Sequence, residues 1–243
     1  MKIGTKILAA SDIESKYLKG KRRIWYSEIN RSKTEPDVIL LFLDGEHYLD
    51  RMDILTLLNE SGIQNLLSVF VSSENGECRQ TDFICCESYN QFLSENVLKR
   101  IESDYGSLTV PKIGICGLSL SGLAAAYMAI ASEIAFAFAI CQSPSAWWNN
   151  EWLTRNLNRF KPKDTAYWIS VGNREVETNV YHPPLNLHQE ISQLDACRNL
   201  STRLLVPNRS CYLNEFDGGH SFDCWRIDFQ SAIDYCLNLN LPE

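Results

Sequence analysis

With 243 residues, 45% of them hydrophobic and 22% charged, the chain has the apolar material for one α/β domain with a large core and too little length for two full domains. Its net charge of −7, without a basic face, excludes a general nucleic-acid role. No transmembrane stretch occurs, and Ile7-Leu8-Ala9-Ala10 runs at once into Ser11-Asp12, too short for a signal-peptide core, so no membrane partner is expected.

Residues 21 to 29 read as an early strand, and the basic residues Lys16, Lys19, Lys21, Arg22 and Arg23 as charges protecting a sheet edge. After a polar turn over Asn30 to Pro36, Asp37 to Leu43 is a continuous apolar run with the character of a central strand. The loop Asp44-Gly45-Glu46-His47 follows at its carboxyl end, where open parallel sheets bind ligands. Backbone N–H groups near Gly45 and Glu46 are candidate anion donors there, and His47 is expected to line the pocket. Met52 to Leu58 suits a helix packed on the sheet. Asn65 to Val71 is another strand, and Ser72 to Cys86 is expected to be a long irregular loop carrying Arg79. From Glu87, apolar Leu93, Val97, Ile101 and Tyr105 recur every four residues and predict an amphipathic helix.

Val110 to Cys116 reads as a buried strand that breaks into Gly117-Leu118-Ser119-Leu120-Ser121-Gly122 and continues as a small-residue helix over Leu120 to Ala131. A serine on a sharp strand-to-helix turn is a candidate nucleophile, with the N–H of Leu120 facing the reacting carbonyl. The common form is G-x-S-x-G; here Ser121 stands at the second glycine and Gly122 follows it. Ile134 to Cys141 is the next strand, ending near Trp147 and Trp148. Two adjacent tryptophans do not both enter one core: either one lines a pocket for a flat substrate, or they form a lid packed on Trp152. Tyr167 to Val171 leads into Gly172-Asn173-Arg174-Glu175, residues 185 to 204 are expected to be helical, and Cys211 to Phe216 closes into Asp217-Gly218-Gly219-His220. A final helix starts at a capping Ser221 and keeps Trp225, Phe229, Ile233 and Leu237 on one face. Strands alternating with helices predict a three-layer α/β fold with a mostly parallel central sheet and helices on both faces.

A serine nucleophile needs a base that exchanges protons near neutral pH, and histidine does so with an unperturbed pKa of about 6.5. Of four histidines, His220 follows two glycines after the last strand, while His182 and His188 sit in a polar segment and read as solvated. Glu175 is preferred to Glu177 as the acid that orients the imidazole, and Asp217 lies too close to His220 in the chain. The order Ser119, Glu175, His220 is that of α/β-hydrolases. Nine cysteines, an odd number without a CxxC pair, read as reduced cytoplasmic thiols packing as small hydrophobes. No metal and no cofactor is expected.

These residues carry a resemblance. The chain resembles the esterase D-like α/β-hydrolases, and among them the catalytic domain of enterochelin (siderophore) esterases. The matching pieces are Leu-Phe-Leu-Asp-Gly-Glu at 41 to 46, Phe92-Leu93 with Val97-Leu98, and Gly-Leu-Ser-Leu-Ser-Gly at 117 to 122. Ser-Pro-Ser-Ala-Trp-Trp at 143 to 148, Val-Gly-Asn-Arg-Glu at 171 to 175 and Gly-Gly-His-Ser-Phe-Asp-Cys-Trp-Arg at 218 to 226 complete the set. The resemblance implies one hydrolase domain over 1–243 and a triad of Ser119, His220 and Glu175 that cleaves a small-molecule ester through an acyl-enzyme. It points to a catecholate siderophore or another aromatic ester, and the sequence itself adds Trp147 and Trp148 past a strand end and Arg79 in the long loop as residues expected beside the substrate. Acyl transfer to another alcohol, or a binding protein that kept the fold and lost the chemistry, are the alternatives. Oligomeric state is left open.

Overall fold

The runs Val38–Leu43 and Leu66–Val71 are buried at every position. Ile39, Leu41 and Leu43 pack into one core, and Val38, Leu40 and Phe42 into a second. A strand apolar on both faces belongs inside a sheet that is covered on both sides. The computed structural model, which describes residues 7–32, 35–107, 112–183, 187–205 and 210–238, has this architecture.

In chain order come strands β1 (Ile7–Glu14), β2 (Lys21–Ile29) and β3 (Val38–Leu43), helices α1 (Gly45–Arg51) and α2 (Ile54–Glu60), and strand β4 (Leu66–Val71). Helices α3 (Gly76–Asp82) and α4 (Glu87–Phe92), a π-helical turn (Leu93–Leu98), α5 (Lys99–Tyr105), β5 (Lys112–Leu118), α6 (Leu120–Ala131) and β6 (Phe136–Gln142) follow. The last third holds α7 (Trp148–Asn156), β7 (Ala166–Gly172), β8 (Val180–His182), β9 (Leu187–Gln189), α8 (Gln193–Leu204), β10 (Cys211–Phe216) and α9 (Phe222–Asn238). One sheet runs β1-β2-β4-β3-β5-β6-β7-β10, antiparallel through β1, β2 and β4 and parallel from β4 to β10. Helices α4, α5, α6 and α8 cover one face, and α1, α2 and α9 the other.

The structure corrects several expectations. Strand β1 lies outside β2, so the basic cluster does not guard an edge at β2. Lys21 and Arg23 instead bind Asp12 across the β1–β2 pair, and Arg22, only 2% exposed, pairs with Asp82 at 2.7 Å. Residues 45 to 47 open α1 and are not loop. The stretch 72 to 86 contains α3, capped by the Asn75 side chain, which accepts the Cys78 N–H at 2.9 Å. Helix α8 begins only at Gln193, with Ser192 accepting the Asp195 N–H; Leu187–Gln189 pairs with Val180–His182 as a hairpin, and residue 185 lies outside the described residues. The strand expected from Val110 is described from Lys112, Val110 itself being outside the described residues.

The four-residue period has its own explanation. Apolar residues at 93, 97, 101 and 105 would drift off one face of a 3.6-residue helix. The π turn, with its wider i→i+5 winding, absorbs the excess, so Leu93, Val97 and Ile101 are all fully buried on the same core.

Candidate active site

The chain passes from β5 to α6 through one residue. Ser119 takes φ 54° and ψ −118°, a conformation that costs a non-glycine residue about 1–3 kcal/mol. The neighbours make the turn possible. A Cβ at position 117 would lie 2.0 Å from the carbonyl oxygen of Ser121, so only glycine fits. The buried Ser121 hydroxyl donates to the Leu118 carbonyl at 2.8 Å and accepts the Leu118 N–H at 3.0 Å, tying the strand end to the first helical turn. The Ser119 N–H is held by the carbonyl of Gln142, at the end of the adjacent β6.

Strands β7 and β10 are parallel neighbours, and the loops beyond them are stitched together. The N–H groups of Asn173 and Arg174 donate to the carbonyls of Phe216 and Gly218, each at 2.9 Å, and the Asn173 side chain accepts from the Gly218 N–H. This brings Glu175 to His220: Oε2 lies 2.6 Å from Nδ1, and His220 Nε2 lies 3.0 Å from Ser119 Oγ. A carboxylate only accepts, so Nδ1 carries the imidazole proton and Nε2 is left to accept the serine hydroxyl. The Glu175 side chain is 4% exposed against 42% for His220, so the ring bridges a buried carboxyl group and an open cavity. The ring edge packs on Trp225, with centroids 4.7 Å apart and planes at 82°. Glu177 lines the cavity, while Asp217 is exposed and stands 3.7 Å from Arg174.

A cavity of about 390 Å³ opens in front of Ser119. Trp147 forms one wall, stacked on His182 at 5.0 Å and 11° and donating its indole N–H to Gln193. Trp148 is not among the residues lining the cavity; its ring meets Trp152 at 6.3 Å and packs against the same core as Trp147, so the expectation that the two tryptophans do not share one core is corrected. Arg79 lines the cavity and donates its Nε–H to both oxygens of the fully buried Asp44, at 2.8 and 3.1 Å. His47 lies outside the lining, against Phe222 at 5.4 Å, because α1 turns it toward α9.

Gly45 and Glu46 also lie outside the lining. A Cβ at Gly45 would fall 2.7–2.9 Å from Phe70 and Val71, so glycine alone lets α1 begin this close to β4. The Glu46 carboxylate is engaged by Ser73, which leaves only backbone N–H groups as candidate donors. Leu120 does line the cavity, as the first residue of α6.

Sequence reasoning missed His182, Gln193 and Asp44. His182 reaches the cavity through the pairing of β8 with β9, and Gln193 through the carbonyls of Ser143 and Pro144 that its amide binds. Asp44 carried a signal, a carboxylate directly after an apolar central strand. Among the described residues no group of three His, Cys, Asp or Glu is placed to hold a metal ion, and no helix is long and apolar enough to cross a membrane.

The family model described as "Putative esterase" matches residues 17–235. An iron(III) enterobactin esterase of Escherichia coli O6:H1 is 23% identical over 223 residues, covering 88% of this chain and 53% of that protein. One of Dickeya dadantii is 22% identical over 251 residues, covering 97% and 56%. The chain thus spans about half the length of these relatives. Among solved structures, the enterobactin esterase from Shigella flexneri in the presence of enterobactin superposes with a TM-score of 0.78 at 19% identity, over 97% of this chain and 59% of that one. A siderophore hydrolase from Aspergillus nidulans gives 0.70 at 18%, over 96% and 94%. The sheet order, its covering helices and the match across residues 17–235 place the chain in the Esterase family, with the α/β-hydrolase type of fold.

Proposed function

We propose that the protein is a serine ester hydrolase working through an acyl-enzyme, with Ser119 as nucleophile, His220 as base and then acid, and Glu175 as the group that orients the imidazole. The observation that carries this reading is the unbroken chain Ser119 Oγ, His220 Nε2, His220 Nδ1, Glu175 Oε2, at 3.0 and 2.6 Å, on a strained turn. As the serine oxygen attacks the ester carbonyl, its proton passes to Nε2 and the imidazolium is balanced by the buried carboxylate. The negative charge on the former carbonyl oxygen falls to the N–H of Leu120 and to an N–H near Gly45 or Glu46 at the start of α1. The same proton then goes to the leaving alcohol, and water repeats the sequence to release the acid.

The substrate we infer is an ester of a hydroxy-aromatic acid, with a catecholate siderophore lactone or its linear fragments first. The Trp147–His182 stack offers a flat wall for an aromatic acyl group, and Arg79, held from behind by Asp44, offers a fixed cation for a carboxylate or catecholate. The names of the relatives support the same class. The reading takes the chain as one hydrolase domain, and its location as cytoplasmic, supported by the buried thiols of Cys116, Cys141, Cys197 and Cys236.

The test is labelling by a fluorophosphonate together with turnover of aryl esters. Both are expected in the wild type and absent in Ser119→Ala; an unlabelled wild type would favour a binding protein, and new ester products with added alcohols would favour acyl transfer. On a panel of catecholate lactones, feruloyl esters and short acyl esters, the aromatic substrates should have the higher kcat/KM. Short aliphatic esters ahead by more than about tenfold would sink the aromatic assignment.

A further inference from the structure

Glu175 has two carboxylate oxygens, and only Oε2 meets His220. The other, Oε1, accepts the Ser143 hydroxyl at 2.7 Å and the Gly172 N–H at 2.8 Å. Ser143 is fully buried, immediately beyond β6, and its oxygen accepts the indole N–H of Trp225 at 2.9 Å. The direction of this chain is forced. An indole N–H only donates and a carboxylate only accepts, so the single proton of Ser143 points at Glu175. Trp225 closes the loop, because its ring also packs on the edge of His220. Ser143 holds φ 40°, its N–H donates to the Ser170 carbonyl of β7 at 2.7 Å and its carbonyl accepts the Gln193 amide at 2.6 Å, so the backbone that carries the hydroxyl is fixed on both sides.

We propose that Ser143 is a positioning residue of the triad, fixing through its hydroxyl proton which Glu175 oxygen faces His220. This rests on the hydrolase reading above. A buried carboxylate whose charge is met by a histidine on one oxygen depends on the donors at the other. Ser143 and Gly172 are those donors, and of the two only Ser143 is a side chain that substitution removes. With its proton gone, Oε1 of Glu175 keeps only the Gly172 N–H, and the imidazole loses part of the fixed partner that holds Nε2 toward Ser119.

The experiment compares Ser143→Ala with Ser143→Gly. Both lack the hydroxyl, but glycine adopts φ 40° without strain, so a purely conformational role would be spared in the glycine variant. Roughly tenfold loss of kcat with KM within about twofold is expected in both, the scale of one lost hydrogen bond to a charged group. The low-field proton resonance of the His220 Nδ1–H, assigned by its absence in His220→Gln, should move or broaden in both variants. Wild-type kcat and an unmoved resonance in Ser143→Gly would overturn the proposal. If the wild type fails to react with the fluorophosphonate, the hydrolase reading falls, and the resonance still decides whether Ser143 is coupled to His220.

Discussion

At residue scale the turn that carries Ser119 depends on two small residues with opposite tolerances. Position 117 has no room, since any Cβ meets backbone at 2.0 Å. We expect Gly117→Ala to displace the turn and abolish fluorophosphonate labelling, even where circular dichroism still reports a folded chain. Ser121 departs from the usual glycine, yet its hydroxyl makes two buried bonds to Leu118. Ser121→Gly should retain labelling while losing about 1–3 kcal/mol of stability, from two lost hydrogen bonds and the added freedom of glycine in a helix. Loss of labelling with unchanged stability would reverse this assignment.

At the scale of elements, α3 brings Arg79 to the cavity although it has almost no apolar face. It is held by charge: Asp82 pairs with Arg22 of β2 in the interior, and Arg79 pairs with Asp44 at the end of β3. Burial pushes the Asp82 carboxyl above its ordinary range, with the bond to Arg22 only partly offsetting it. For Arg22, burial acts to lower the guanidinium, and the hydrogen bond and charge of Asp82 outweigh it. A pair so far removed from water stabilises little as a pair, but breaking it strands a charge at a cost of about 3–5 kcal/mol. Asp82→Ala should therefore lower Tm by roughly 6–20 °C. Because α3 also carries Arg79, KM for an anionic aromatic ester should rise more than KM for a neutral one. Equal changes for both substrates would separate α3 from substrate recognition.

At the scale of the whole molecule, one buried carboxylate joins three strands to the last helix. Asp228 of α9 accepts from Ser170 and Trp168 of β7, Gln142 of β6 and Asn214 of β10. Desolvation raises its pKa, and these four donors recover only part of the cost. The folded chain therefore keeps this proton to higher pH than the unfolded chain does. Stability falls as pH rises through the window above the ordinary carboxylate range, and the penalty is absent below it. Asp12 works in the opposite sense at the surface: held at about 2, first by hydrogen bonds from Arg23 and Lys21, it favours folding above the ordinary range and stops doing so as pH falls toward 2. Urea unfolding from about pH 3 to 8 checks the larger effect. The stability difference between wild type and Asp228→Asn should shrink as pH rises, and a pH-independent difference would refute the assignment.

The sequence by itself determined the elements that bury apolar surface and the residues at their ends. The apolar runs of β3 and β4, the bounds of β2, α6 and β10, and the positions of Ser119, Glu175 and His220 at the carboxyl ends of strands were all legible, because apolar periodicity and glycine-bracketed turns are local signals. Helix α3 was not, since its packing comes from Arg79 and Asp82 finding partners far away in the chain. Strand β1, at the edge of the sheet, and the three-residue strands of the β8–β9 hairpin were missed for a related reason: they are stabilised by pairing with their neighbours, which periodicity does not record. The tertiary structure alone decided that His182 stacks on Trp147 and that Trp148 turns away. It also decided that Ser143, thirty-two residues before Glu175, donates to it. Local sequence specifies which side chains are presented; the order of strands in the sheet specifies which of them meet.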